Sequence, residues 1–295
     1  WITSGGSAPP ADNYYLTGYD DSWNIFAWRD VDGDGPALMM QINGVQEKDG
    51  VLYVTANNWT DGTELPIGWV LEYDPDTLAY STYQALKNSS SLPHEHYAEG
   101  LDWHDGYWWV VWHDWPYITK YDAAWNWVAD YELTYPGNGH YYQGIMWYGN
   151  YAFVNTHASG DPIKLDCYFW NGTGFVESRR MEPVVEYANQ GMSLDKTDNA
   201  TVYWAIRGGA DNLKVAITTI EDIYISLEGH AQIDFDDVRF TTSDGDTPLD
   251  YWYDDTNTLG NCRTFWVEVS DDLDSNQEIF CYYGNDAVST TSNGA

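Results

Sequence analysis

The residues best suited to binding a metal ion lie in the stretch RDVDGDGP, residues 29 to 36. Asp30, Asp32 and Asp34 alternate before Gly35. This is the D-x-D-x-D-G spacing of calcium loops, in which positions 1, 3 and 5 supply carboxylates and position 7 supplies a backbone carbonyl. The carbonyl at position 7 belongs to Pro36. The sequence therefore predicts structural calcium bound by Asp30, Asp32, Asp34 and Pro36.

The predicted loop is incomplete by itself. Position 12 normally supplies two oxygens through a glutamate, but this chain has Gln41 there. A cation would need water or further acids, such as Asp20 and Asp21. The alternative is a plain turn before the strand ALMMQI, in which aspartates cap and glycines bend the chain.

A second set of candidates is a polar residue that precedes a glycine and an apolar residue four times along the chain. These residues are Asn43, Glu99, Gln143 and Gln190, and His96 and His140 come shortly before two of the glycines. A glutamate with two imidazoles could hold a divalent metal or transfer protons. The alternative is that the polar residues only solvate a water-filled channel.

Aromatic residues are densest in WHDGYWWVVWHDWPY, residues 103 to 117. Aromatic faces stack against sugar rings, so an exposed subset could bind glycans. Bulky side chains that alternate along strands also pack sheets together, and we expect most of these tryptophans in the core. The chain has no nucleophile motif, phosphate loop or zinc-type spacing.

The polar-Gly-apolar motif belongs to a repeat of about 45 residues. A short turn and a β-rich run follow each motif, as in GVLYVTANN, GYWWVVWH, GNYAFVNTH and NATVYWAI. The first three repeats continue into a second hairpin. A unit of this size with four short strands is typical of one β-propeller blade, which cannot bury both faces without neighbours.

We therefore predict an all-β protein with a β-propeller of about five blades, four of them clear repeats, over residues 14–210. Residues 1–13 are expected to be a flexible N-terminal segment, and NYYLTGY and NIFAWRD to close a composite blade. The pattern resembles extracellular β-propeller repeats. If the first strand of each blade lines the central channel, the polar residues of the repeated motif converge there as a funnel.

The repeat stops near residue 211, and the remaining sequence resembles a domain of unknown function found in archaeal, bacterial and viral secreted surface proteins. The resemblance rests on Asp237-Val238-Arg239-Phe240-Thr241, Ser243-Asp244-Gly245, Leu249-Asp250-Tyr251-Trp252, Phe265-Trp266-Val267 and Tyr282-Tyr283-Gly284-Asn285. It implies an appendage or spacer of a surface protein. Alternating apolar residues around Phe265 independently predict half-buried strands, hence a small β-sandwich over residues 211–295.

The three cysteines suggest one bridge. Cys262 and Cys281 lie in two strand-like runs separated by a turn, so they could face one another across an antiparallel pair and form a disulfide. Cys167 is left over and is expected to be a small buried hydrophobe.

Charge excludes several classes of partner. The chain has 46 acidic and 12 basic residues, a net charge of -34 and a pI near 4.1. Such a surface repels nucleic acid and anionic lipid. No run of 18 apolar residues occurs, so no membrane span is predicted.

Other features favour secretion. The chain starts at Trp1 without a leader, as a mature secreted form or a truncated chain would. Glycosylation sequons occur at Asn58, Asn88, Asn171 and Asn199. We therefore expect an extracellular location, on a cell or virion surface.

The function that the sequence favours is a non-enzymatic structural or adhesive surface protein. It would self-associate into a filament or appendage, bind other surface proteins or glycans, and be stabilised by calcium. The alternatives are a propeller hydrolase or lyase that uses the funnel, and a carbohydrate-binding module.

Overall fold

The computed structural model describes most of the chain. The described residues are 2–4, 15–19, 22, 24–31, 34–35, 40–58, 68–133, 140–158, 164–181, 191–208, 212–219, 231, 235–253, 265–269, 278–285, 287 and 289. All regular structure among them is β-strand, as the sequence predicts. They include no helix that is long and apolar enough to cross a membrane.

The chain divides into two compact units, residues 1–223 and 224–295. The described residues of the first unit form five antiparallel sheets, and we number them as blades 1 to 5. Blade 1 is β1 (Ile2–Ser4), β2 (Tyr15–Tyr19) and β3 (Ile25–Asp30). Blade 2 is β4 (Met40–Lys48), β5 (Val51–Asn58), β6 (Gly68–Tyr73) and β7 (Tyr80–Ala85). Blade 3 is β8 (Ala98–His104), β9 (Tyr107–Trp112), β10 (Tyr117–Tyr121) and β11 (Trp127–Glu132).

Blade 4 is β12 (His140–Tyr148), β13 (Tyr151–Ala158), β14 (Leu165–Trp170) and β15 (Phe175–Met181). Blade 5 is β16 (Met192–Leu194), β17 (Thr201–Gly208) and β18 (Asn212–Thr219). In every blade the strands pair in chain order. This is the predicted β-propeller architecture, with three four-stranded and two three-stranded blades.

The repeated glycines lie where the first strands of neighbouring blades touch. A Cβ atom added to Gly100 on β8 would lie 2.6 Å from Cα of Gly144 on β12. One added to Gly44 on β4 would lie 2.6 Å from the carbonyl oxygen of Glu99. One added to Gly144 would lie 3.2 Å from Cα of Gly191. The first strands are therefore innermost, and glycine is required there because the backbones approach too closely for any side chain.

Each of these inner strands carries a β-bulge at the repeated motif. The register of β4 against β5 shifts between Ile42 and Val45, and that of β8 against β9 shifts between Ala98 and Leu101. On β12 the shift lies between Tyr142 and Gly144. A bulge inserts an extra residue and changes the direction of its side chain. The polar residue of the motif lies within the bulge in all three strands.

Side chains of one blade bond to the bulged backbone of the next. Asn57 on β5 donates from Nδ2 to the carbonyl of Ala98 at 3.1 Å and accepts from the amide of Ala98 at 2.6 Å. Thr55 accepts from the amide of Gly44 at 2.7 Å and donates to the carbonyl of Glu99. Because a bulge removes ladder hydrogen bonds, these side chains satisfy backbone groups that would otherwise be buried without partners.

Apolar clusters fill the spaces between successive blades. The cluster between blades 3 and 4 includes Trp109 and Trp147, and the one between blades 2 and 3 includes Trp108 and Trp112. All four indoles are fully buried. Three of the five tryptophans in residues 103–117 are fully buried, and the other two, Trp103 and Trp115, are half-buried. The prediction that most of them belong to the core is therefore confirmed.

The predicted limits of the first unit need two corrections. Ile2–Ser4, expected to be flexible, forms β1 and pairs with β2. The unit also extends to residue 223 rather than 210, because β18 pairs with β17 along its whole length. The hairpin of β17 and β18 continues beyond the last residue of the sequence repeat. The repeat alone therefore placed the end of the first unit too early in the chain.

The second unit contains two small antiparallel sheets. One pairs β19 (Arg239–Thr242) with β22 (Ile279–Tyr282), and the other pairs β20 (Tyr251–Tyr253) with β21 (Phe265–Val267). Val238, Phe240, Leu249 and Tyr251 form its buried core. This agrees with the predicted small β-sandwich.

The cysteines are arranged differently from the prediction. The strand that holds Cys281 pairs with β19, whereas β21, which follows Cys262 in the chain, pairs with β20. Cys281 is a free, half-buried thiol, and Cys262 lies outside the described residues. The expected pairing of these two strands is therefore wrong, because β21 pairs with β20 and β22 pairs with β19. Cys167 is buried, as expected.

Candidate functional site

The described funnel residues make two kinds of contact. Asn43 bonds to the backbone of the next blade, and Glu99 and Gln143 both contact one histidine, His113. Asn43 donates from Nδ2 to the carbonyl of Ala98 at 2.8 Å. It therefore joins blade 2 to blade 3. Glu99 and Gln143 are both buried and both contact His113. Asn43 and Gln143 therefore join neighbouring blades, whereas Glu99 and His113 both belong to blade 3.

Glu99 is the buried acid of this cluster. Only 5% of its surface is exposed, and its Oε1 lies 3.2 Å from Nδ1 of His113. Burial raises the pKa of Glu99, and the negative charge of Asp114 raises it further, while the hydrogen bond and charge of His113 oppose the shift. The net shift of the Glu99 pKa is upward, which favours the protonated carboxyl.

His113 is held from a second side by blade 4. Nε2 of Gln143 lies 2.8 Å from the same Nδ1 of His113, and the amide of His113 donates to the carbonyl of Tyr97 at 2.8 Å. Two side chains from two blades therefore fix one imidazole. The sequence had suggested His96 and His140 as the imidazole partners of Glu99, and the structure brings His113 to it instead.

Asp114 is the second carboxylate of the cluster. Its Oδ1 accepts from the amide of Tyr97 at 3.2 Å, and its Oδ2 lies 3.3 Å from Nδ1 of His96. Burial alone would raise the pKa of Asp114, but the hydrogen bond and charge of His96 and the bond from Tyr97 outweigh it and lower the pKa. Asp114 is therefore ionised under conditions in which Glu99 tends to keep its proton.

An aromatic strip runs beside the two carboxyl groups. The ring of His96 stacks on Trp115, with centroids 5.0 Å apart and planes 4° apart. Trp115 in turn stacks on Tyr117 at 4.3 Å. All three are half-buried, so part of each remains accessible to solvent. We call these three residues the aromatic strip.

His94 lies beneath the cluster as a neutral core residue. It stacks on Trp112 at 3.9 Å with 16° between the planes, and 3% of it is exposed. Neither ring nitrogen has a hydrogen-bond partner among the described residues. Burial, assisted by the charge of His96, lowers the pKa of His94 to about 3. His94 is therefore a core residue, because Trp112 and Trp115 cover its ring.

His94 makes the stability depend on pH. The pKa of His94 is lowered in the folded state. Below pH 6.5 this imidazole therefore binds a proton in the unfolded chain but stays neutral in the folded protein. Stability is complete above about pH 6.5 and falls as the pH drops from there toward 3, by about 1.4 kcal/mol per pH unit for one proton. His94→Phe keeps the stack on Trp112 but cannot titrate.

We therefore expect His94→Phe to reduce the loss of unfolding free energy between pH 6.5 and 4.5 by about 2 to 3 kcal/mol. Urea unfolding at both pH values measures it. Stabilities at pH 7 provide the control and should agree to within about 1 kcal/mol, the size of a tolerated core substitution. Equal pH slopes for the two proteins would contradict the assignment.

The remaining predicted site residues lie elsewhere or outside the described residues. The backbone of His140 pairs with Ala158 on β13, and its side chain is not described. Gln190, Asp32 and Pro36 lie outside the described residues. Asp30 ends β3. No group of three His, Cys, Asp or Glu residues within the described part of the chain is placed to hold a metal ion.

Asp34 has a different partner from the one predicted. Arg29 donates to its two oxygens at 2.6 and 2.7 Å, and the hydroxyl of Tyr73 donates to it at 3.2 Å. The planar guanidinium matches both oxygens of a carboxylate, which compensates the burial of Asp34. A calcium ion at Asp34 would have to displace Arg29. Calcium binding by this loop stays a prediction.

The sequons are placed differently from one another. Asn171 and Asn199 are exposed in turns, whereas Asn88 is half-buried and its Oδ1 accepts from the amides of Ser90 and Leu92. The side chain of Asn58 is not described. Glycosylation at all four positions stays a prediction.

His113 and Asp114 are the site residues that sequence reasoning missed, and the hairpin register could have found them. The two-residue turn Asp105-Gly106, with φ of 51° and 80°, pairs β8 with β9. Counting outward from this turn, with one bulge residue added, places His113 opposite Tyr97 and hence beside Glu99.

Comparison with known proteins identifies the C-terminal segment. Residues 234–295 match the model of a domain of unknown function, DUF2341. This match supports the resemblance drawn from the sequence. The family description assigns no function to the domain. No curated protein matches the chain.

Three solved structures illustrate the likeness of fold. Glutaminyl cyclase from Myxococcus xanthus is 9% identical, with 70% of this chain and 83% of that one covered and a TM-score of 0.44. A protein of unknown function from Bacteroides caccae is 7% identical, with 72% and 74% covered and a TM-score of 0.43. A glycosyl hydrolase from Bacteroides ovatus is 11% identical, with 60% and 63% covered and a TM-score of 0.41. Similarity this low carries no argument about activity.

Proposed function

We propose that the cluster at the funnel is an acid–base site that hydrolyses glycosidic bonds in a neutral carbohydrate. The observation that carries the proposal is the pair of carboxyl groups whose environments shift their pKa values in opposite directions, upward for Glu99 and downward for Asp114. Two titratable groups separated in this way are suited to act as acid and base in one reaction.

The roles follow from the protonation states. Glu99 donates its proton to the leaving-group oxygen as the glycosidic C–O bond breaks. Asp114 accepts a proton from a water molecule, whose oxygen forms the new bond to the anomeric carbon. In sum, water is added across the broken bond. His113 and Gln143 act as positioning residues, because they hold the carboxyl of Glu99 through one imidazole.

The aromatic strip and the charge of the protein support the substrate class. Aromatic faces pack against the C–H faces of sugar rings. The net charge of -34 disfavours anionic polymers. A neutral, hydroxyl-rich polymer fits both features.

The proposal is tested by measuring release of reducing ends from a panel of neutral polysaccharides and aryl glycosides between pH 4 and 9. We expect turnover with a bell-shaped dependence of kcat/KM on pH. Activity should fall at low pH as Asp114 takes up a proton, and at high pH as Glu99 loses its proton. Folded protein that cleaves no member of the panel at any pH would overturn the proposal.

A second candidate is the non-enzymatic role of an extracellular structural subunit, and the edge of blade 1 favours it. β3 is an edge strand in the order β1-β2-β3, and it exposes Ile25, Phe26 and 65% of Trp28. An edge strand with exposed apolar side chains can pair with another chain. A second copy of this protein is the proposed partner, and calcium bound in the loop after β3 would stiffen that edge.

Light scattering with and without calcium distinguishes this candidate. Concentration-dependent assembly that Trp28→Lys abolishes would support it. A protein that stays monomeric at high concentration with calcium present would rule it out.

A further inference from the structure

A depression of about 550 Å³ lies at the opposite ends of the strands from Glu99. β8 runs from the funnel cluster to this depression, since Glu99 is near its first residue and His104 is its last. Hairpin turns of blades 3 and 4 form the walls. The lining residues on which the argument depends are His104, Asp105, Asn150, Phe169, Trp170 and Asn171. We call this depression the turn pocket.

His104 contributes a neutral imidazole to the turn pocket. Its ring stacks on Trp147 at 4.2 Å with 4° between the planes. Burial, assisted by the positive charge of Lys196, lowers its pKa to about 4. The ring is therefore uncharged near neutral pH and offers one donor and one acceptor.

The other polar groups come from the turns. Asp105 is exposed and supplies a carboxylate that accepts hydrogen bonds. Asn150 and Asn171 supply amides. The Oδ1 atom of Asn171 accepts from the amides of Thr173 and Gly174 at 3.0 Å each, so a ligand would meet its NH₂ group. The pocket thus offers both donors and acceptors.

Phe169 provides the apolar wall, because Trp170 is only 4% exposed and packs in the core between blades 3 and 4. Phe169 is half-buried and packs against Tyr151 at 5.1 Å, and the amide of Trp170 donates to the carbonyl of Asn150 at 2.8 Å. This backbone bond fixes one wall of the pocket against another. An aromatic wall beside convergent amides and a carboxylate is suited to a ring that is apolar on one face and hydroxylated at its edge.

We propose that the turn pocket binds one or two rings of a neutral sugar. The exposed carboxylate of Asp105 in its lining disfavours an anionic ligand. Its volume is within the range of small-molecule sites, about 300 to 1,000 Å³. The site is separate from the funnel cluster and does not depend on the proposed catalysis.

The sugar could come from two sources, because Asn171 also begins the sequon Asn171-Gly172-Thr173. The ligand would be either a free glycan or an N-glycan attached at the rim of the pocket. Thr173→Val separates the two sources, since it removes the sequon hydroxyl and keeps Asn171. The variant loses the bond from this hydroxyl to Oδ1 of Asn171, but the amides of Thr173 and Gly174 still donate to that atom. Production in a host that glycosylates and in one that does not gives the comparison.

The experiment is calorimetric titration of the full chain with glucose, galactose, mannose, xylose, N-acetylglucosamine and their disaccharides. We expect saturable binding by the unglycosylated chain, weakened at least tenfold by Phe169→Ala and by Asp105→Asn. Asp105→Asn keeps the turn, because asparagine tolerates the positive φ of 51° at this position. Glu72→Gln on β6, outside both sites, should leave the affinity unchanged.

Material from the glycosylating host decides between the sources. Binding that is lost in the wild type and restored by Thr173→Val would identify the attached N-glycan as the occupant. Equal binding by both proteins would identify a free glycan. No binding of any sugar in the panel, or binding that neither pocket variant weakens, would overturn the proposal.

Discussion

Glu99→Gln is expected to lower turnover by a factor of about 10² to 10⁴, the usual contribution of a general acid, while the protein stays folded. Glutamine keeps the shape of the side chain but has no acidic proton to transfer to the leaving group. The fold should accept it, because Gln143 occupies the corresponding bulge of blade 4 and contacts the same imidazole of His113. The loss should therefore be catalytic rather than structural.

Glu72→Gln on β6 is the matched control. Glu72 is a half-buried carboxyl whose pKa, like that of the buried Glu99, is raised by burial, but it lies on another blade and away from the funnel cluster. Its replacement should leave kcat within about twofold of the wild type, a change of under about 0.5 kcal/mol in the barrier. A folded Glu99→Gln protein with unchanged kcat would show that Glu99 is not the acid.

Gly100→Ala is expected to destabilise the protein by more than about 3 kcal/mol, as overpacking against rigid backbone does. The added Cβ atom would lie 2.6 Å from Cα of Gly144 and 2.7 Å from the amide nitrogen of Ile145. Both are backbone atoms, so no side chain can rotate away. Relief would require blades 3 and 4 to separate along their inner strands.

Gly191→Ala offers a control at the same position of the fourth repeat. A Cβ atom added there meets no atom of the described part of the chain within 4 Å, so the change should alter stability by less than about 1 kcal/mol. Urea unfolding of the two variants and the wild type gives the comparison. Similar stabilities for Gly100→Ala and Gly191→Ala would show that the inner strands are not in backbone contact.

The sequence predicts the architecture because its signals are local. The glycine motifs, the Asp-Gly turns and the alternating aromatic runs each mark one strand or hairpin, and their period indicates blades. The innermost position of the first strands also follows from this logic. Asn43, Glu99 and Gln143 were accordingly placed near the centre by the repeat alone.

The contacts of those residues could not be predicted in the same way. A bulge shifts the register by one residue, which decides whether Asn43 faces a channel or the carbonyl of Ala98. The pairing of Asp34 with Arg29 depends on the path of the chain after β3 rather than on the D-x-D-x-D-G pattern. The boundary near residue 211 was wrong because β18 lacks the repeat but keeps the hairpin.

The bulged motif has a consequence for how such a protein can change over time. Glycine is fixed at Gly44, Gly100 and Gly144 by the contact between blades, but the residue before each is an amide in two blades and an acid in the third. Two neighbouring positions of the motif thus differ in what the fold accepts. One must be glycine in these three blades, and the residue before it differs from blade to blade. A lineage with this architecture could acquire, lose or move an acid at its axis by single substitutions, without rebuilding the blades.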